Sequence, residues 1–160
     1  MSGLKARLKS DSGAELIEFA LVFPVLLMVV LGIVDFGFLF QRMEVVTNAA
    51  REGARIAVLP GYGVADVRAR VCSYVQTGGV PTTGACPTPT NPAINVNMAF
   101  SIPMPTGTAP LTGKRVEVVY THQYLFIGPI AGWFSGSFTS VPIRGVAIMR
   151  DEVQSAGGGS

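Results

Sequence analysis

Charge is scarce in this chain, and so are the side chains that do chemistry. Aspartate, glutamate, lysine and arginine make up 14% of the 160 residues, there are two cysteines, and His122 is the only histidine. No GxSxG, HExxH, P-loop or CxxC pattern occurs, so the nucleophile, zinc and nucleotide sites that those patterns build have no starting point. His122 falls on the same alternating face as Val118 and Tyr120, which predicts a packed or edge-exposed imidazole rather than a general base. Glu117, Asp151 and Glu152 fall on a strand and near the tail and form no carboxylate pair. The sequence predicts no enzyme, no cofactor and no metal. A run of lysine and arginine is also missing. Of the twelve basic and ten acidic side chains, Lys5, Arg7, Lys9 and Asp11 precede Gly13. The net charge of +2 therefore sits in the leader, and the neutral remainder lacks the basic footprint that nucleic acid requires.

What the chain has in excess is one apolar run, residues 19–40, and no other window matches it. At about 1.5 Å per residue it reaches about 33 Å, one hydrocarbon core. It predicts a single membrane-spanning helix with room for one small domain beyond it. Lys5, Arg7 and Lys9 flank the N-terminal end, whereas Arg42, Arg51 and Arg55 beyond the other end alternate with Glu44 and Glu52. The positive-inside bias puts the N-terminus in the cytoplasm and the C-terminal domain outside. Cys72 and Cys86 then lie in an oxidising compartment and suit a disulfide, the other option being two buried thiols. Closing that loop would contribute about 3 kcal/mol.

The run is too long for the apolar region of a cleaved signal peptide, and no small-x-small site follows it. A better cleavage signal precedes it. Gly13-Ala14-Glu15-Leu16-Ile17-Glu18-Phe19 resembles the type IV prepilin motif, in which a peptidase cuts after the glycine on the cytoplasmic side and leaves the apolar helix in place. The resemblance implies that Ala14 becomes the new N-terminus and Glu18 the fifth mature residue. A carboxylate at the edge of a spanning helix is costly without a partner, and the freed amine of Ala14 on a staggered neighbouring helix would supply one. Acidic residues in a first turn also favour the positive end of the helix dipole. Ser12-Gly13-Ala14-Glu15 reads as a capping box that accounts for Glu15. Further along, Pro24 removes one helix hydrogen bond. Asp35 lies about 25 Å beyond Glu18, near the outer interface, either among lipid headgroups or against a partner helix. Gly32 and Gly37 allow close helix approach but are out of GxxxG register.

The helix continues past the membrane. Residues 41–59 contain no proline, and Val46, Ala50, Gly53, Ala54 and Ala57 recur at three- and four-residue spacing to make a small-residue face, with Arg42, Glu44, Arg51, Glu52 and Arg55 mostly off it. Leu59-Pro60-Gly61 ends it. Gly32-Ile33-Val34-Asp35-Phe36-Gly37 followed by Thr47-Asn48-Ala49-Ala50-Arg51-Glu52-Gly53-Ala54-Arg55 resembles the TadE-like family, pseudopilin or minor-pilin components of the tight-adherence (Flp) pilus system. The similarity runs from about Gly13 to Val58. Major Flp pilins carry tyrosine after the glutamate, where Phe19 stands here, and are much shorter, which implies an accessory role.

Beyond the spine the chain predicts a small domain. Val64, Val67, Val71, Tyr74 and Val75 suit one face of a short helix near residues 65–75, and residues 77–92 read as a loop. Ile94, Val96, Met98, Phe100 and Ile102 alternate with polar or small residues and predict a strand. Thr112-Gly113 predicts a turn, and residues 115–125 and 141–150 predict two more strands. Residues 124–134 are too apolar for an ordinary loop. They either fold back over the sheet or spine as core, or expose Phe126, Ile127, Ile130, Trp133 and Phe134 as a docking patch for a neighbouring subunit or the membrane surface.

The predicted fold class is α+β and pilin-like: a long N-terminal helix, half in the membrane and half spine, packed on a small antiparallel sheet. Its parts are a leader (1–13), a transmembrane helix (14–40), the helix continuation (41–59), the outer domain (60–152) and a flexible tail (153–160). Family resemblance implies a part in initiating or capping an Flp-type pilus from the inner membrane, with a prepilin peptidase, other pilins, the membrane platform and lipid as partners. The alternative is an unprocessed signal-anchored envelope protein whose outer domain binds another envelope component.

Overall fold

The computed structural model describes residues 11–105, 110–133 and 139–151. The leader residues Lys5, Arg7 and Lys9, together with Phe134, Glu152 and the tail, lie outside the described residues.

One helix, α1 (Asp11–Ala57), runs for 47 residues and passes through Pro24. In its first half every residue from 13 to 30 is exposed. With a mean hydropathy of 2.7 over its most apolar window it is long and apolar enough to cross a membrane. From about residue 31 one face enters the domain. Val46, Ala49, Ala50 and Ala54 are wholly buried there, and Ala57 nearly so. These are the small residues of the predicted stripe, with Ala49 added, and their size decides how close the helix comes to the sheet. Gly145 shows the limit, because a Cβ at that position would lie 2.6 Å from the Val46 carbonyl oxygen. Gly53 plays the same part on the helix side, where an added Cβ would collide with Val71 and Val116.

The second helix, α2 (Val64–Thr77), lies across α1 and beside the sheet edge. At its start the Asp66 carboxylate accepts the N–H of Gly63 at 2.9 Å. At its end the N–H groups of Gly78 and Val80 reach the carbonyls of Tyr74 and Val75, and Gly79 takes the left-handed conformation (φ +73°) that lets the chain leave. Val67, Val71, Cys72 and Val75 form its buried stripe. Val64 and Tyr74, expected on that stripe, are 36% and 38% exposed. Side chains adjacent in sequence lie about 100° apart around a helix, so Tyr74 falls to the rim once Val75 is buried. Cys72 is joined to Cys86 of the following loop by a disulfide, with Cα atoms 6.0 Å apart.

The sheet is antiparallel in the order β1 (Ala93–Ile102), β2 (Leu111–Gln123), β3 (Ser140–Arg150). Alternation along β2 turns Val116, Val118, Tyr120 and His122 inward, all buried. The layout is thus the predicted α+β one, a long helix on a three-stranded antiparallel sheet. One expectation fails. Thr112 and Gly113 do not turn; they lie inside β2, opposite Ser101 and Phe100. Gly113 is there for close approach, since a Cβ would lie 2.8 Å from both the Ile102 side chain and the Met149 carbonyl oxygen. The strand pair persists this far because a bulge between Asn97 and Phe100 takes up one extra residue, with the Asn97 side chain accepting the Ala99 N–H at 3.0 Å. Of the two placements open for the apolar segment after β2, it folds back against α1 as a short helix, α3 (Ile127–Trp133), with Leu125 63% exposed and Phe126, Ile127 and Ile130 half-buried.

The contact at Gly145 gives a test. Gly145→Ala should cost about 1–3 kcal/mol through overpacking against backbone. Gly37→Ala, where nothing lies within 4 Å, should cost nothing measurable. Urea unfolding of both variants in detergent checks the pair.

Candidate functional site

Two places on α1 carry the residues singled out by sequence. At the N-terminal end Gly13, Ala14, Glu18 and Phe19 are all helical and exposed. Phe19 is 61% exposed, and its ring lies 5.3 Å from that of Phe23, centroid to centroid. Among the described residues Glu18 has no hydrogen-bond or ion-pair partner. The capping box expected at Ser12 is not where the helix begins, because α1 already includes Asp11 and continues through Ser12 and Gly13. Glu15 is therefore an exposed residue of a running helix.

The second place is the junction where the bare half of α1 meets the domain. Asp35, expected among headgroups or against a partner helix, is instead 1% exposed. Its Oδ1 accepts the N–H of Leu125 at 3.1 Å, and its Oδ2 accepts those of Phe126 at 2.9 Å and Ile127 at 2.7 Å. Three consecutive N–H groups leaving β2 have no strand or helix partner, and one carboxylate satisfies them all. The correction has a physical basis: the domain folds back far enough to reach Asp35 and remove it from solvent.

Arg42 stands two turns further along the same face. It was expected mostly off that face, yet its Nη1 donates to His122 Nδ1 at 2.7 Å and to the Tyr120 hydroxyl at 3.3 Å. Its guanidinium also lies 5.8 Å from the centroid of Phe38 and 5.9 Å from that of Tyr120. Arginine can only donate, so His122 Nδ1 accepts and its proton sits on Nε2, a buried atom with no partner among the described residues. The ring stands edge-on to Tyr124 at 5.3 Å, and Tyr124 edge-on to Phe36 at 6.3 Å. Burial pushes the His122 pKa below its ordinary value, the Arg42 charge lowers it further, and Asp35 opposes. Burial raises the Tyr120 pKa, against Arg42. Nearer the end of α1, Glu52 binds Arg55 at 3.0 Å and Arg70 of α2 at 3.1 Å, and the Arg55 bond leads in holding its carboxyl below the usual range.

What the Asp35 and Arg42 contacts do is hold the bare half of α1 to the domain. Among the described residues no group of histidine, cysteine, aspartate and glutamate could take a metal ion. Sequence brought attention to Asp35 and His122 separately and missed that Arg42 links their surroundings. The signal available was the seven-residue spacing of Asp35 and Arg42, which places both on one helix face.

A half-bare helix that serves as the spine of a small sheet domain defines a single-pass, membrane-anchor type of α+β protein. Comparison with known families adds that residues 13–55 match the model of the TadE-like protein family. This is the segment whose motifs carry the resemblance in the sequence, and it spans both Glu18 and the Asp35–Arg42 junction. No curated protein matches the chain, and no solved structure does.

His122 makes stability depend on pH. Its folded-state pKa is lowered, so its contribution is present above the unfolded value of about 6.5 and is lost as pH falls through the lowered one. Protonation removes the acceptor for Arg42 and sets two cations together. The domain's Tm should drop between about pH 7 and pH 5, and His122→Gln should flatten that drop. Glu52, whose pKa is lowered, contributes to acid loss only at still lower pH.

Proposed function

We propose that this chain is a pilus-associated membrane protein of the TadE-like type whose activity is assembly. A prepilin peptidase cuts after Gly13, the apolar helix then stores the subunit in the inner membrane, and Glu18 pairs with the new Ala14 amine of an adjacent helix. Its partners are other pilins or pseudopilins and the membrane platform, and its task is to initiate or cap an Flp-type pilus. The observation that carries the proposal is the family match over residues 13–55, which contains the cleavage motif and the helix that assembly would use. Two features of the chain agree with it. Residues 13–30 are exposed on every side, as a helix must be that trades lipid for neighbouring helices. Among the described residues Glu18 is a carboxylate without a partner on an apolar helix, a costly state in a membrane that a partner amine relieves.

Intact mass and N-terminal sequence of the membrane-extracted protein, with and without its cognate prepilin peptidase, test this. The expected product begins at Ala14 only when the peptidase is present, and Gly13→Val abolishes it. Glu18→Ala should leave a cleaved chain that no longer supports piliation. An uncut chain under all conditions would overturn the proposal in favour of an unprocessed envelope anchor.

A further inference from the structure

The segment that leaves β2 is placed oddly for a soluble domain. Phe126, Ile127 and Ile130 lie against Met28, Leu31 and Gly32 of α1 and enclose with them a groove of about 360 Å³ lined only by apolar residues. Met28 and Gly32 are about 15 to 21 Å along the helix axis from Glu18. If the hydrocarbon layer of about 30 Å begins near Glu18, the groove lies inside it, in the leaflet on the domain side.

A chain that turns at that depth faces a strict requirement. Backbone N–H groups have no water to bond there, so a turn is tolerated only where protein groups satisfy them. Asp35 meets that requirement by taking the N–H groups of Leu125, Phe126 and Ile127. In water those groups would be hydrated and need no buried carboxylate. The side chains agree: Leu125 is 63% exposed, and Phe36, Phe38 and Phe40 on α1 are 48%, 41% and 64% exposed. No charged residue occurs between Gln123 and Ser140.

We infer that residues 124–133 form a wedge embedded in the domain-side leaflet beside α1, and that the groove between α3 and residues 28–32 holds a phospholipid acyl chain. The inference rests on α1 crossing the membrane, and it adds a second membrane-inserted element to that one span. Lipid is the occupant because the groove is continuous with the bare, lipid-facing surface of α1 at the same depth, and because its lining offers a partner no polar contact.

Trp133 is the only tryptophan, so a Trp133→Phe background clears the full chain for single-tryptophan probes. The chain would be reconstituted in phosphatidylcholine vesicles with and without bromine on the acyl chains. In that background Leu125→Trp would report the wedge, Ile130→Trp the groove and Phe23→Trp the span. The expected result is at least twofold quenching of the Leu125→Trp and Ile130→Trp probes by brominated chains, with little quenching by aqueous acrylamide. Quenching of the Phe23→Trp probe alone, with the Leu125→Trp probe open to acrylamide, would overturn the wedge while leaving the span intact. No quenching at any position would remove the span and the wedge together. Quenching of the Ile130→Trp probe that disappears as protein density rises would assign the groove to a second copy and overturn the lipid assignment.

Discussion

The fold depends on one continuous face of α1. Asp35, Leu39, Arg42, Val46, Ala49 or Ala50, Gly53 or Ala54, and Ala57 recur at three- and four-residue spacing, and each faces the domain. A three-stranded sheet whose outer face leaves Val146 40% and Ile148 45% exposed has only its inner face to bury, and α1 with α2 is what covers it. The helix is therefore no stalk with a domain hung from its end. It supplies five of the fifteen buried apolar core residues among the described residues, and glycines at positions 53 and 145 let it come close enough to do so. Backbone-to-backbone contact of this kind leaves little room for the helix to slide or rotate on the sheet.

The same face changes character along its length. Near the end of α1 it is alanine and glycine packed on valines; at the membrane end it becomes polar, with Arg42 bonded to His122 and Tyr120 and Asp35 bonded to the backbone after β2. Polar groups at that end do what small apolar residues cannot. They fix distance and angle through directional bonds, at the level where the helix passes from one medium to another. In a protein proposed to work by assembly, such fixing sets how the outer domain is presented when helices pack side by side.

Much of this was legible in the sequence because it is periodic. The recurrence of Val46, Ala50, Gly53, Ala54 and Ala57 marked the buried stripe, and the alternation from Ile94 to Ile102 marked β1. What was not legible depends on contacts distant in sequence. Asp35 is separated by about ninety residues from the N–H groups it binds, and nothing near it announces that a turn will fold back to meet it. Gly113 carries a turn signal by composition but serves a close approach that only the paired strands reveal. Arg42 reads as one more charge off the buried face, and it turns inward because His122, eighty residues later, accepts its hydrogen bond. At the processing motif, Glu18 and Gly13 stand exposed, and their assignment comes from motif and family.

Joined through the α1 face, span and domain should move as one rigid body. The most direct measurement is the distance distribution between two spin labels in lipid nanodiscs, one at Leu21 in the bare half of α1 and one at Thr121 on β2, both exposed positions. A single narrow distribution is predicted, broadened when Asp35 and Arg42 are both replaced by alanine. A broad distribution in the unaltered protein would show the domain swinging freely at the membrane and would contradict the claim.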